Sequence, residues 1–225
     1  MHLAAADTGS YARYGPHGMI RVMTLWYGRR AAQRQPQALI AYGARSNTKR
    51  KASPMADMRL AKREVREASE LRAIVDSCQT VRIGAVDEEG MFIVPMSFGY
   101  DWELDESGTP RLTLWLHSAG EGRKAAAFGT NGSAGVDVAI EMDCEDGVIT
   151  GPYACSYSFA YRSIMGTGRI YPIASGEDKV YGLTRIMEHM APGAPQALGP
   201  GVLDRTAVWR IDVARFAGKQ RQPKA

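Results

Sequence analysis

The chain has 225 residues, of which 45% are hydrophobic and 23% charged, with 28 Lys plus Arg against 24 Asp plus Glu. That composition belongs to a folded globular chain with room for one large domain or two small ones, and it excludes global disorder. No apolar run approaches the roughly 18–20 residues of a membrane-spanning helix, and the three cysteines, Cys78, Cys144 and Cys155, match no disulfide framework, so a reducing, cytoplasmic setting is expected.

The charge is unevenly spread. Residues 1–54 hold nine basic residues and one acid, Asp7, for a charge of +8, which leaves 19 basic and 23 acidic residues, or −4, on 55–225. The basic character therefore sits in the N-terminal segment, and a nucleic-acid partner is not expected of the body. Residues 1–54 show no sustained period, and 46–54 read as a solvated linker ending at Pro54. Three readings stand for this segment: a disordered extension or overlong translation start, an Arg-rich targeting peptide, or a basic arm for polyanions. Met55 is a natural chain start, and 55–225 is read as the working domain.

Along the body, Val65, Ala68, Leu71, Ile74 and Val75 recur at helical spacing and predict an amphipathic helix over 63–77. Strand patterns follow over 80–86 and 91–100, joined by the turn Asp87-Glu88-Glu89-Gly90. A polar loop over 101–110 leads into a strand at 111–117, with Leu112, Leu114 and Leu116 on one face and Thr113, Trp115 and His117 on the other. A short helix is predicted over 122–128, then a strand over 134–142, an acidic loop, and a long β region over 157–173 that Gly166 and Gly168 are placed to bend. A second amphipathic helix over 176–190 carries Val180, Leu183, Ile186 and Met187 and is stopped by Pro192 and Gly193. The closing strand is 207–213, with a polar tail from Phe216. Six or seven strands with isolated helices predict an antiparallel barrel or sandwich, not a βαβ array.

Catalytic constellations are sparse. The body has two histidines, His117 and His189, and no CxxC, HExxH, Walker A or GxSxG pattern, so neither a metal site nor a hydrolase is expected. The dense polar cluster is His117-Ser118-Ala119-Gly120-Glu121-Gly122-Arg123-Lys124, a strand end, a glycine turn and a helix start. Two adjacent cations there, with Ser118 as a hydroxyl donor, suit either a phosphate monoester or a solvated cationic helix start. In 93–100, Val94, Met96, Phe98 and Tyr100 share one face, and Pro95, Ser97 and Gly99 the other. The small face suits either close approach of a flat ligand to the backbone or an edge strand with a proline.

Taken in order, Val94-Pro95-Met96-Ser97-Phe98-Gly99-Tyr100 and His117-Ser118-Ala119-x-x-Gly122-Arg123-Lys124 resemble the FMN-binding split-barrel superfamily, the pyridoxamine 5′-phosphate oxidase-like group, and within it the nitroimidazole-resistance flavoproteins. The resemblance extends to Tyr161-Arg162-Ser163-Ile164-Met165-Gly166-x-Gly168, to the helix around Leu183 and His189, and to Gly218-Lys219, covering about 58–220. It implies a mainly β fold with a few helices, a six-stranded antiparallel split β-barrel, homodimeric, with FMN in a groove between subunits. It also implies that Arg123 and Lys124 hold the FMN phosphate with Ser118, and that the backbone of Val94, Pro95, Met96, Ser97 and Phe98 lines the ring. Ser163 or Arg162 would contribute from a neighbouring strand, and His117 would stand beside the flavin. Where that branch has Asn, this chain has Ser97. The activity implied is electron transfer from reduced FMN to an electron-poor small molecule, with His117 orienting the acceptor or donating a proton. A deazaflavin or haem in the same fold, or a flavin-binding stress module without turnover, are the alternatives.

Overall fold

A computed structural model describes residues 58–195, 197–199 and 201–222. The basic segment 1–54, the boundary at Met55 and the last three residues lie outside the described residues. Eight strands form one antiparallel sheet: β1 (Glu64–Val65), β2 (Val81–Asp87), β3 (Gly90–Met96), β4 (Phe98–Leu104), β5 (Pro110–Ala119), β6 (Val136–Ile149), β7 (Ser158–Pro172) and β8 (Thr206–Arg221). Pairing runs β3-β2-β6-β7-β8-β5-β4, with β1 added to the C-terminal part of β8. β3 and β4 stand at opposite ends of that order, yet only Ser97 separates them in the chain. A sheet whose two edges are joined by one residue has to curl, and the result is a barrel left unpaired between β3 and β4.

The surplus over the six strands implied by the resemblance comes from the two-residue β1 and from the break at Ser97. Three further boundaries differ from the sequence reading. Residues 64–65 are a strand rather than the first turn of a helix, because Val65 pairs with Gly218, and helix α1 spans only Ala68–Ser77. The acidic stretch from Asp143 to Asp146 is strand, paired to β7 across a bulge between Glu145 and Gly147. β8 runs on through the polar tail to Arg221, because it has β7 and β1 to pair with.

Inward alternation builds the core. Ile83, Phe98, Leu114, Leu116, Ile140, Met142, Ile164, Ile170 and Ile211 are all buried inside the barrel. α1 supplies Leu71, Ile74 and Val75 to the same core. Helix α2 (Arg123–Gly129) brings Phe128 against Phe92 and Trp209, with ring centroids 6.3 and 5.5 Å apart. Helix α3 (Gly176–Met190), capped by the Ser175 hydroxyl, covers the outer face of β4 and β5, where Leu183 and Ile186 pack on Trp115 and Val208. The last helix, α4 (Val202–Arg205), precedes β8, and Lys179 ties it to α3 through the carbonyls of Leu203 (2.9 Å) and Thr206 (3.3 Å). Gly166 and Gly168 flank the register shift at which β8 carries Ala214 as an extra residue, so their part is a β-bend.

Candidate functional site

Strand alternation decides which predicted residues can meet a ligand. Val94 is half-buried, Met96 and Phe98 are buried, and all three face the barrel interior, leaving Pro95 and Ser97 exposed on the outer face. The Phe98↔Leu116 pair, continued by one residue, sets Ser97 opposite His117. His117 is exposed on that same outer face, beside β8 at Val208. Pro95, Ser97 and His117 therefore form one polar and apolar step across the gap between β3 and β5.

The glycine turn after His117 is open. Nothing lies within 4 Å of a Cβ built on Gly120 or Gly122, and Gly122 has φ +95°, a backbone that L side chains rarely adopt. The turn delivers Arg123 and Lys124 as the first two residues of α2. Partial loss of hydration around the ring, and then repulsion from Lys124, push the His117 pKa below its ordinary value, which sets this cation near the imidazole. Arg123 points the other way, toward the β2–β3 hairpin. Its Nε and Nη2 donate to the two Asp87 carboxylate oxygens at 2.6 and 2.8 Å, Glu89 lies at 3.4 Å, and the guanidinium sits 4.8 Å from the Phe92 ring centroid. The hydrogen bonds from Arg123 in turn hold the Asp87 carboxyl below the usual range. The two cations are adjacent, but two carboxylates already engage Arg123.

Two predicted residues are placed elsewhere. Ser118 points into the barrel, because neighbours on a strand face opposite ways; its Oγ accepts from Trp209 Nε1 at 3.0 Å and donates to the Ala119 carbonyl at 2.7 Å. Its hydroxyl is spent inside the protein and is turned away from any anion on the outer face. Ser163 stands between Asp143 and Lys219 in β7, with β2 and β6 between it and β3, roughly 14 Å across at the spacing of paired strands. Arg162, beside it, is tied to Asp146 at 2.9 Å.

Gly99 also has a different partner from the one its small face suggested. A Cβ there would lie 2.2 Å from the Arg185 carbonyl carbon and 2.3 Å from the Ile186 nitrogen, so the approaching backbone is that of α3. His189 fastens the same contact, with Nδ1 at 2.8 Å from the Phe98 carbonyl and its ring 4.5 Å from that of Phe98. It is a packing residue of the α3–β4 junction. Nearby, Asp101 accepts from Trp115 Nε1 (2.6 Å) and Tyr181 (2.8 Å) and pairs with Arg185 (2.9 Å). Neither this cluster nor the Asp87–Arg123 pair is visible in sequence, since Asp101 lies 80 residues from Tyr181 and Asp87 lies 36 from Arg123.

The outer face also carries uncovered apolar side chains. Met91 is 86% exposed, Ile93 72% and Val86 62%, and Val86 pairs with Met91 while Ile93 pairs with Gly84.

Comparisons with known proteins give a family and a shared fold. A family model described as pyridoxamine 5′-phosphate oxidase matches residues 67–220. Among solved structures, a candidate 5-nitroimidazole antibiotic resistance protein from Bacteroides thetaiotaomicron is similar at 26% identity and TM-score 0.56, over 70% of this chain and 86% of that one. A flavocytochrome from Azotobacter vinelandii shares the fold at 20% identity and TM-score 0.58, over 74% and 73% of the two chains. So does an FAD- and haem-binding protein from Mycobacterium smegmatis, at 18% identity and TM-score 0.58, over 72% and 76%. No curated protein matches the chain.

Proposed function

The chain belongs to the pyridoxamine 5′-phosphate oxidase family, and we propose that it is a homodimeric FMN-dependent oxidoreductase acting on an electron-poor small molecule such as a nitroaromatic or quinone. The observation that carries this proposal is the convergence of Pro95, Ser97 and His117 on one outer face beside an open glycine turn that leads into Lys124, a cation close enough to lower the His117 pKa. The donors Ser97, His117 and Lys124, with the flat apolar face of Pro95, fit a phosphate monoester that carries a flat heterocycle. Lys124 supplies a point charge, the turn at Gly120 and Gly122 leaves room for backbone contact, and the β3 edge offers unpaired backbone groups to a ring. Bound FMN would supply the electron-transfer chemistry.

Within the site the protein binds, orients and handles a proton. Asp87 fixes the Arg123 guanidinium, and because Asp87 and Glu89 offset its charge, Lys124 carries the larger part of the attraction for phosphate. The exposed Ser97 hydroxyl stands where the nitroimidazole-resistance branch has Asn, and its shorter side chain reaches less far toward a ring edge, so the backbone of β3 carries the ring contact. An imidazole nitrogen of His117 holds the proton delivered to the acceptor.

Replacing Arg123 and Lys124 together by Ala should strip the flavin from the purified protein while the barrel still folds and unfolds in one cooperative transition. Lys124→Ala alone should weaken FMN binding more than Arg123→Ala alone. Retention of FMN at the wild-type level by the double variant rejects the phosphate assignment.

The dimer has its own support. Val86, Met91 and Ile93 form a contiguous apolar patch on the outer face of the β2–β3 hairpin, next to the site, and a patch of that kind on a soluble chain marks a docking surface. A second copy packed there would bury the patch and wall the flavin groove from the side that one chain leaves open. Ile93→Glu should therefore give a monomer by light scattering and lower the flavin content with it. A dimer of unchanged strength in this variant moves the contact off the hairpin.

A further inference from the structure

Away from the proposed flavin site, the fold brings together two cysteines that lie 66 residues apart. Cys78 ends α1, its N–H bonded to the Ile74 and Val75 carbonyls at 3.2 Å each, and it is buried. Cys144 lies in β6, one residue before the bulged stretch, and is partly exposed. Their Sγ atoms are 3.2 Å apart. A disulfide needs only about 1 Å of further approach. Arg162 is the register partner of Cys144 in β7 and also reaches Ser77 Oγ at 3.3 Å, so a guanidinium spans the strand and the helix end on either side of the sulfurs. Around the pair stand Asp143 and Asp146, the latter held by Arg162.

We propose that Cys78 and Cys144 form a reversible dithiol–disulfide site whose oxidant is hydrogen peroxide. The Cys144 sulfur, the partly exposed one, attacks a peroxide oxygen; the O–O bond breaks, one water leaves, and Cys144 becomes a sulfenic acid. The Cys78 sulfur then attacks the Cys144 sulfur, the S–S bond forms as the S–O bond breaks, and the departing hydroxide takes the Cys78 proton as a second water. Two thiols are oxidised and one peroxide is reduced to two waters. A small dithiol reverses the step. Burial, then the hydrogen bond to Cys144, push the Cys78 thiol well above its ordinary value, so Cys78 is the resolving and not the attacking group. Such a bond suits a reducing compartment, where disulfides are transient rather than structural. It would pin the end of α1, whose Asp76 holds the Tyr100 hydroxyl at the α3–β4 junction.

The test uses the full chain with Cys155→Ser, which removes the exposed third thiol, beside the unaltered chain. One equivalent of hydrogen peroxide should lower the thiol count after denaturation from two to none in the variant and from three to one in the unaltered chain. The mass should fall by two hydrogens, a cross-linked peptide should join Cys78 to Cys144, and dithiothreitol should restore both thiols. In Cys144→Ser, and equally in Cys144→Ala, the Cys78 thiol should survive the same treatment. Two thiols that stay titratable, oxidation of Cys144 that stops at an oxygen adduct, or a bridge that joins other cysteines overturns the assignment. None of these readouts depends on bound flavin, so a failure here leaves the FMN proposal standing.

Discussion

Gly99→Ala should be among the most destabilising single-methyl additions in the protein, costing about 3 kcal/mol or more and lowering the thermal midpoint by roughly 6–12 °C. The added Cβ would sit 2.2–2.4 Å from three atoms of the α3 backbone, the Arg185 carbonyl carbon and oxygen and the Ile186 nitrogen. Backbone cannot rotate out of the way as a flexible side chain can, so α3 has to lift from β4. Lifting it strains what binds the two elements together. The Arg185 Nη2 bond to the Tyr100 carbonyl (2.9 Å), the His189 contact with the Phe98 carbonyl (2.8 Å) and the packing of Ile186 on Trp115 all lie along this line. Each hydrogen bond so weakened costs on the order of 1 kcal/mol. Gly176→Ala is the control, since nothing lies within 4 Å of its Cβ and its φ is not in the left-handed region; its midpoint should stay within the small range of surface substitutions. A Gly99→Ala protein that melts with the wild type would mean that α3 does not rest on β4 as described.

His117→Ala should slow reduction of a nitroaromatic or quinone acceptor by roughly 10²–10⁴-fold while leaving flavin content unchanged, the range associated with losing a positioned proton donor. Retention of flavin separates this effect from the phosphate contacts of Lys124 and Arg123. The pH profile gives a second readout. Partial loss of hydration first, and Lys124 second, lower the His117 pKa below 6.5. The protonated imidazole is the acid, so turnover should be highest at low pH and should fall as pH rises through a value below 6.5. Stability runs the other way. The folded state binds the His117 proton less tightly than the unfolded chain does, so this residue weakens the fold as pH drops below its unfolded pKa and has no such effect above it. With FMN supplied in saturating excess to offset the weakened phosphate contact, Lys124→Met removes the secondary cause and should move the activity limb upward. Full activity in His117→Ala, with its pH limb unmoved, reduces the histidine to a surface residue.

Much of the fold was legible because it is written in local periods. α3 spans 176–190 as Val180, Leu183, Ile186 and Met187 require, and the β2–β3 hairpin turns at Asp87 and Gly90 as its residues suggest. The alternation that sends Val94, Met96 and Phe98 inward also held, and it is what leaves Pro95 and Ser97 outside. What local periods could not supply was the distant partner. The acids from Asp143 to Asp146 look like a loop until β7 is seen to pair with them, and the polar end of β8 looks like a tail until β1 and β7 do the same. For the site, sequence brought His117, Arg123 and Lys124 close together but placed Ser118 with them, overlooking that successive strand residues face opposite sides. It also left the small face with Gly99 open to a ligand or an edge strand, where α3, some 86 residues on, fills the space. Asp87 on Arg123 and Cys78 on Cys144 have no signature at all, because their separation in the chain is fixed only by how the barrel closes.

The central claim is that this barrel holds a flavin through the turn at Gly122 and Lys124. The absorption spectrum of the full chain, purified and then passed through a desalting column after incubation with FMN, tests it most directly. Two flavin bands, in the blue and the near-ultraviolet, should co-elute with the protein in near-stoichiometric amount and should be missing from the Arg123→Ala, Lys124→Ala variant. A wild-type protein that emerges colourless, or that shows one intense Soret band of haem in their place, contradicts the account.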